Sequence, residues 1–172
     1  PGTGLGAALS LDNKIVISTE IGNTTNSSLS LQKNYNIENT DHCTLEDFVS
    51  GSAISNIYKI KTNIQMSSEE VYKKFRENDD IAVEVVNGFI KSLAQTLSDM
   101  ALTYLPGNGI LLAGSLIRTI YPNINKGQFI EIFTANKSDI HKNMLEMISI
   151  GVITKQRTPL YGNFHFYKEL DL

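Results

Sequence analysis

Residues 2–6 read Gly-Thr-Gly-Leu-Gly, and two runs of β-prone residues follow this stretch directly, at 7–11 and 14–19. The short Asp-Asn turn between the two runs predicts a β-hairpin. Glycines let a backbone approach a phosphate closely, and successive N–H groups form a concave anion-binding surface. The hydroxyl of Thr3 adds a further donor. The stretch therefore predicts either an ordinary tight turn or a phosphate-binding loop that leads into a hairpin.

Two other nucleotide-binding loops do not fit this stretch. A dinucleotide-binding fingerprint needs Gly-x-Gly-x-x-Gly at the start of a helix, with an acid about 20 residues later. Here the third glycine comes one residue early, at Gly6, and a hairpin follows, so the acid's spacing at Glu20 is a coincidence. A Walker loop needs Gly-Lys-Ser/Thr, which the sequence lacks. What remains is a phosphate loop in a strand turn, as in the actin/hexokinase superfamily.

Composition and charge restrict the class of protein. The 172 residues are 41% hydrophobic and 19% charged, as in an ordinary soluble globular domain. The net charge of -3 argues against a surface built for nucleic acid or an anionic membrane. The one cysteine, Cys43, excludes a disulfide framework and a cysteine-rich zinc site, so we expect a reducing, cytoplasmic location.

Apolar spacing and capping residues predict the helices. The longest apolar segment, 81–105, has apolar residues every three or four positions but also carries charges, which predicts an amphipathic helix opened by Asp79 rather than a membrane span. Capping patterns start at Thr44 and Ser67. Residues 22–40, rich in Asn, Ser and Thr, predict a loop.

The rest of the sequence predicts short strands alternating with helices. The predicted strands are 109–114 and 148–154. The predicted helices start near Ser115 and cover 129–133 and 161–170. This order is typical of α/β layers.

Taken in order, the motifs resemble those of bacterial-type glucokinases. That family follows Gly-Thr-Gly-Leu-Gly with a hairpin, a Glu-x-Gly-His sugar motif, a Glu-x-x-x-Ser-Gly motif and an apolar strand ending in Ala-Gly-Gly. This chain has Glu-Ile-Gly-Asn at 20–23, Glu-Asp-Phe-Val-Ser-Gly at 46–51 and Ile-Leu-Leu-Ala-Gly-Ser at 110–115. Residues 151–154 and 159–162 fall where the family has its last strand and a glycine turn.

The resemblance implies a fold and an activity. The fold would be an α/β, ribonuclease-H-like lobe of the actin/hexokinase superfamily, with a mixed sheet and flanking helices, and residues 1–172 would form the C-terminal lobe. The whole protein would transfer a phosphoryl group from ATP, with Mg²⁺, to glucose, as in glycolysis. The family's catalytic aspartate would lie upstream of Pro1, so no catalytic residue and no metal ligand are predicted here. Since a glycine-rich loop usually follows a strand, we expect an N-terminal part to be missing.

The resemblance also implies binding residues. The sugar would be held by Glu20, Asn23 and Glu46, because carboxylates and amides hydrogen-bond to hydroxyls. The phosphate and the adenosine would be held by Gly2, Thr3, Gly4, Gly114 and Ser115. Two of these residues depart from the family pattern, since Asn23 replaces a histidine and Ser115 replaces a glycine. The first change affects sugar choice, and the second crowds the nucleotide or caps the next helix.

Simpler explanations for these residues stay open. Glu20 is also explained as an exposed strand end, Glu46 as an acid in a first helical turn, and Gly114 as a strand-to-helix turn. The remaining histidines and the cysteine are predicted to be loop or core residues or have no predicted role: His42, Cys43, His141 and His165.

Two other functions also remain open. The first is another hexose or amino-sugar kinase, although the related repressor/open-reading-frame kinases add a Cys-rich zinc motif that a single cysteine does not allow. The second is a degenerate, non-catalytic sugar- or nucleotide-binding protein, which Asn23 favours. The partners predicted are glucose or a related hexose and ATP, with a homodimer left open and no nucleic acid or membrane expected.

Overall fold

The structure, a computed structural model, describes residues 2–12, 14–25, 28–38 and 44–169. The strands are β1 (Ala7–Leu11), β2 (Ile15–Thr19), β3 (Ile110–Leu112) and β4 (Ile150–Val152). The α-helices are α1 (Ser28–Gln32), α2 (Gly51–Thr62), α3 (Ser68–Arg76), α4 (Asp80–Tyr104), α5 (Ser115–Ile120), α6 (Lys126–Thr134), α7 (Asp139–Glu146) and α8 (Thr158–Glu169). Short 3-10 turns lie at Ile21–Asn23, Lys33–Tyr35, Leu45–Asp47 and Tyr121–Asn123. The α/β class predicted from the sequence is confirmed.

Helix α4 forms the centre of the core. Its first turn is capped by Asp79, whose Oδ1 accepts a hydrogen bond from the N–H of Ala82 at 2.9 Å. It ends where Leu105 turns left-handed, with φ of 46°, directly before Pro106. Helices α2, α3, α6 and α7 all pack against it. The long amphipathic helix predicted from apolar spacing is thus confirmed, and its buried face organises the surrounding helices.

The strands form two small sheets. Strands β1 and β2 pair antiparallel as the predicted hairpin, with Ala7 opposite Thr19 and Leu11 opposite Ile15. Strands β3 and β4 pair in parallel, with Ile110 opposite Ile150. In the part of the chain that the structure describes, the parallel and antiparallel pairs lie in separate sheets rather than in one mixed sheet. The parallel pair needs a crossover, which α5, α6 and α7 supply.

Helix α2 is attached at both ends. Its first turn is capped by Ser50, whose hydroxyl accepts a hydrogen bond from the N–H of Ala53 at 3.0 Å. Near its other end, Lys61 forms an ion pair with Glu84 of α4 at 3.1 Å. Burial alone would raise the pKa of Glu84, but hydrogen bonds from Asn36 and Lys61 outweigh burial and hold it below its ordinary value. Because Ala53, Ile54 and Ile57 between these two points are buried, the helix is fixed to the core along its length.

One sequence prediction is wrong, and one helix was missed. The predicted loop over residues 22–40 contains α1 and two 3-10 turns, because Leu31, Tyr35 and Ile37 are buried in the core. Tertiary packing outweighs the poor helix propensity of a segment rich in Asn and Ser. Helix α7 was not predicted, since Leu145 is its one fully buried residue among those described. His42 and Cys43 lie outside the described residues, as does the side chain of His165.

Capping at the start of α3 is confirmed. The N–H of Glu70 donates to the Ser67 hydroxyl at 3.2 Å, and the Glu70 carboxylate accepts from the N–H of Ser67 at 2.8 Å. The hydrogen bonds that the Glu70 carboxylate accepts from the N–H and from the hydroxyl of Ser67, both at 2.8 Å, lower the pKa of Glu70. None of the helices that the structure describes combines the length and the apolarity that a membrane crossing requires.

Candidate functional site

The glycine loop, residues 2–6, rests on the first turn of α2. The N–H of Gly51 donates to the carbonyl of Gly2 at 2.8 Å, and the N–H and hydroxyl of Ser52 donate to the carbonyl of Thr3 at 3.2 and 2.9 Å. The first N–H groups of a helix have no partner inside it, so the loop carbonyls satisfy them. A Cβ on Gly51 would lie 2.9 Å from the Gly2 oxygen, so the close approach needs a glycine there. The loop is thereby fixed with its carbonyls toward the helix.

Glu46 supports the other side of the glycine loop. Its Oε2 accepts a hydrogen bond from the N–H of Leu5 at 3.1 Å. A Cβ on Gly4 would lie 2.9 Å from the same oxygen, and a Cβ on Gly22 would overlap the Leu5 carbonyl. Glycine at 22 is therefore required by the Leu5 carbonyl, whereas a side chain at position 4 would displace the Glu46 carboxylate. An acid in a first helical turn does not explain this contact, because Glu46 reaches a segment 41 residues away.

Asp47 performs the capping that the sequence pattern predicts. Its Oδ2 accepts hydrogen bonds from the N–H and the hydroxyl of Thr44, at 2.9 and 2.8 Å. The neighbouring carboxylate of Glu46 is thus left for the glycine loop. The two adjacent acids therefore have different tasks, one local and one long-range.

Glu20 and Asn23 form a pair beside this arrangement. The Asn23 side-chain amide donates to Glu20 Oε2 at 3.2 Å, and the Asn23 N–H donates to the Glu20 carbonyl at 3.0 Å. Both side chains are exposed. The N–H of Leu45 donates to the Thr24 carbonyl at 2.8 Å, which joins their turn to the one that carries Glu46. We call residues 2–6, 20–24 and 44–52 the glycine-loop corner, since these hydrogen bonds hold them together.

Gly114 and Ser115 lie elsewhere, between β3 and α5. Gly114 has φ of 129°, a conformation that side chains rarely adopt, so the strand-to-helix turn needs glycine. Ser115 borders a cleft of about 390 Å³. The cleft, which we call the Ser115 cleft, is lined by Ser115, Arg118, Thr119, Thr154 and Gln156. Its volume lies in the range of small-molecule sites, and its lining side chains are polar.

Sequence reasoning did not select Arg118, Thr154 or Gln156. Arg118 follows Ser115 by three residues, so both lie on the same face of α5, and this spacing was a usable signal. Thr154 and Gln156 follow β4, whose parallel pairing with β3 is a tertiary fact without a local signal. Parallel strands end on the same sheet edge, which brings the two segments together.

His141 belongs to neither of these two sites and makes only a local contact. His141 lies 2.9 Å from the hydroxyl of Ser138 at the start of α7, and both are exposed. Among the described residues, no three His, Cys, Asp or Glu side chains form a group that would hold a metal ion by themselves. A Mg²⁺ ion that enters with a nucleotide does not need such a group, because phosphates and waters supply most of its ligands.

Solved structures show the class of the fold. A glucokinase from an Antarctic psychrotroph matches with a TM-score of 0.72 at 22% identity, covering 94% of this chain and 54% of that one. A glucokinase from Balamuthia mandrillaris in complex with glucose matches with a TM-score of 0.68 at 20% identity, covering 90% of this chain and 48% of that one. The chain therefore shares the fold of these two glucokinases over nearly its whole length.

Sequence comparison shows the particular family. The chain belongs to the glucokinase family, whose family model matches residues 1–170. A glucokinase-like protein of Xylella fastidiosa is 25% identical over 182 residues, which cover 97% of this chain and 54% of the relative. A glucokinase of Mesorhizobium japonicum is 27% identical over 86 residues, which cover 50% of this chain and 25% of that protein. The chain thus spans about half the length of the Xylella relative.

Proposed function

We propose that this chain is the C-terminal lobe of an ATP-dependent kinase that converts glucose to glucose 6-phosphate. The observation that carries the proposal is the hydrogen bond from the N–H of Leu5 to Glu46, which joins a glycine loop suited to phosphate with a carboxylate suited to a sugar. Phosphoryl transfer requires the two substrates side by side, and the catalysis is mostly positioning. A corner that holds both kinds of group in one place fits that requirement.

The proposed sugar site uses the two carboxylates and the amide of the glycine-loop corner. Glu20 and Glu46 accept hydrogen bonds from sugar hydroxyls, and Asn23 both donates and accepts. The Asn23 amide is already oriented by Glu20 at 3.2 Å. Asparagine at this position is shorter than the histidine of the family pattern and does not titrate, so Asn23 sets the sugar preference.

The proposed nucleotide site spans the glycine loop and the Ser115 cleft. Gly2, Thr3 and Gly4 line the proposed phosphate site, and the donors toward the phosphates are the N–H groups of Thr3 and Gly4 and the Thr3 hydroxyl. The Gly2 N–H instead donates to the Gly4 carbonyl at 3.1 Å, which closes the loop. A Cβ on Gly2 or Gly6 would meet no atom within 4 Å, so there is room for a ligand against the backbone. The adenosine lies in the Ser115 cleft, beside Gly114 and Ser115.

Arg118 offers the cleft a fixed positive charge and a planar set of donors, which suits phosphate or ribose oxygens. When bound with ATP, Mg²⁺ neutralises the charge on the phosphates. This chain's own residues orient the two substrates. The general base that takes the proton of the sugar hydroxyl is an aspartate of the other lobe, in the half of the relatives that this chain does not span.

In this proposal the two small sheets belong to one ribonuclease-H-like lobe. The active site then lies between this lobe and the other one, in the cytoplasm, where a kinase of glycolysis acts.

A second candidate is a kinase of another hexose. The observation that favours it is the Asn23–Glu20 hydrogen bond. This bond engages the side-chain amide of Asn23, the residue that stands where the family pattern has a histidine. A hydrogen-bonding site discriminates strongly between sugars that differ in one hydroxyl, because a mismatch leaves polar groups unpaired. The change of one side chain is therefore enough to move the preference.

The test is a turnover assay with the full-length protein, Mg-ATP and a panel of hexoses and amino sugars. Greatest kcat/KM with glucose supports the first proposal, and turnover with another hexose alone supports the second. A folded protein that has the upstream aspartate and yet phosphorylates none of the sugars would contradict both. Catalysis by residues 1–172 alone would contradict the assignment of the base to the other lobe.

A further inference from the structure

The short segment between Glu46 and Ser52 carries both supports of the glycine loop. Glu46 at its start accepts the hydrogen bond of Leu5, while Gly51 and Ser52 at its end hold the carbonyls of Gly2 and Thr3. A small movement of this segment would therefore move both supports together. What fixes its middle decides the position of the whole glycine-loop corner.

The middle of the segment is held by Tyr35. Its hydroxyl donates a hydrogen bond to the carbonyl of Phe48, two residues after Glu46. The Tyr35 ring also packs against the Phe48 ring, with centroids 6.2 Å apart and planes tilted by 35°. Both residues are fully buried. Burial is the main cause of a raised pKa at Tyr35, so its hydroxyl keeps the proton that it donates.

Tyr35 is in turn fixed to α4. A Cβ on Gly88 would lie 2.5 Å from Cδ1 of Tyr35 and 2.8 Å from the carbonyl of Asn34, so the tyrosine ring lies directly on the helix backbone. The side-chain amide of Asn34 donates to Ser92 Oγ at 3.0 Å and to Gln95 Oε1 at 2.8 Å. The 3-10 turn Lys33–Tyr35 is thus attached to the central helix of the core.

We infer that Tyr35 is a positioning residue that transmits the rigidity of α4 to Glu46 and the glycine loop through the Phe48 carbonyl. Its effect on turnover rests on the proposed function, whereas its effect on the order of the corner does not. Tyr35 touches no proposed substrate and acts through the segment that carries Glu46. The region concerned is the one that the sequence pattern assigned to a loop.

The test compares Tyr35→Phe with Tyr72→Phe in the full-length protein. Each substitution keeps a buried ring and removes one hydroxyl that takes part in a hydrogen bond. In the control, the Tyr72 hydroxyl accepts that hydrogen bond from the Asn123 side-chain amide at 2.8 Å. The first readout is hydrogen exchange at the amides of Leu5, Gly51 and Ser52. We expect about five- to tenfold faster exchange in Tyr35→Phe, the factor that corresponds to one hydrogen bond of about 1 kcal/mol. In Tyr72→Phe we expect a change of less than about twofold at these amides.

The second readout is a comparison of kcat and KM. Tyr35→Phe is expected to raise the sugar KM about five- to tenfold, while Tyr72→Phe leaves it within about twofold at a similar loss of thermal stability. Unchanged exchange in Tyr35→Phe, or equal effects in the two variants, would overturn the inference. If the parent protein turns over no sugar, the proposed function fails, and the exchange experiment still decides the role of Tyr35.

A further variant, Ser92→Ala, tests the inference if Tyr35→Phe folds poorly. Ser92→Ala removes one of the two acceptors of the Asn34 amide on α4 and leaves the other, Gln95. It is expected to raise exchange at Gly51 and Ser52 about threefold, because it loosens the same attachment from the helix side. Exchange at these two amides equal to that of the parent would contradict the proposed connection.

Discussion

The glycine-loop corner and the Ser115 cleft are stabilised in different ways. In the corner, hydrogen bonds join residues that are 41 and 49 positions apart in sequence. At the cleft, α5 has local hydrogen bonds, from the Arg118 N–H to the Gly114 carbonyl at 3.3 Å and from the Thr119 hydroxyl to the Ser115 carbonyl at 3.1 Å. The other wall is joined by strand pairing, in which the Ile153 N–H donates to the Leu112 carbonyl at 2.8 Å. The corner therefore depends on contacts between loops and side chains, whereas the cleft depends on the pairing of two strands and on the backbone conformation at Gly114. Substitutions should separate the two.

The largest expected effect is that of Glu46→Ala, which removes a contact from the corner alone. Hydrogen bonds to a charged group contribute about 1.5–3 kcal/mol, so we expect kcat/KM for the sugar to fall about hundredfold. Binding of adenosine, followed by calorimetry, is expected to stay within about twofold, because the cleft is built independently. The control is Glu131→Ala, an exposed acid on α6. A loss in kcat/KM no larger than that of the control would show that Glu46 does not belong to the sugar site.

The next effect is that of Gly114→Ala, which changes the cleft alone. A side chain at φ of 129° is strained, by about 1–3 kcal/mol. The turn is expected to relax into another conformation, raising the KM for ATP about tenfold and leaving sugar affinity within about twofold. The control is Gly127→Ala, where a Cβ would meet its nearest atom, Asn125 Oδ1, at 3.5 Å. Equal losses of sugar and ATP affinity would show that the two regions are coupled.

A third substitution, Gly88→Ala, tests the link between the corner and the core. The added methyl would overlap Tyr35, so we expect the free energy of unfolding to fall by about 1–3 kcal/mol. Alanine at Gly162 in α8 meets no atom within 4 Å, and there we expect a gain of up to about 1 kcal/mol from helix propensity. Denaturant unfolding measures both. A neutral Gly88→Ala would mean that the ring does not lie against the helix as described.

The smallest expected effect is that of Asn23→His, which restores the residue of the family pattern in the corner. A longer side chain with a ring nitrogen adds a donor or acceptor to a sugar hydroxyl, so the glucose KM is expected to fall about two- to fivefold. Asn23→Ala, which removes the amide, serves as the comparison and should raise the KM. If both substitutions change the KM in the same direction, Asn23 does not contact the sugar.

Elements with a local signal could be predicted from the sequence. The hairpin followed from two β-prone runs around a short turn, and α4 followed from apolar spacing after Asp79. The segment of α1 and the turn at Lys33–Tyr35 could not be predicted, because Tyr35 gains its order from Gly88 and Phe48, which are distant in sequence. Helix α7 was missed for a different reason: little of it is buried, so its sequence gave little signal.

The candidate site divides in the same manner. The glycine loop could be recognised from its composition, but its contact with Glu46 depends on how α2 and the hairpin are placed. The capping role of Asp47 followed from its spacing to Thr44, and the structure confirms it, whereas the long-range contact of Glu46 had no such signal. The cleft residues after β4 became visible only through the parallel pairing of two three-residue strands. The roles of these residues toward sugar and nucleotide remain predictions.

The attachment of the glycine loop to α2 has an entropic consequence. A free loop loses about 1–2 kcal/mol of backbone entropy per residue when it becomes ordered. Here the carbonyls of Gly2 and Thr3 are fixed to a helix of 12 residues, about 18 Å long, whose far end is held by the Lys61–Glu84 ion pair. The ordering has therefore taken place during folding. In the proposed phosphate site, an incoming anion would meet a surface that is already arranged, and more of its binding energy would remain for affinity.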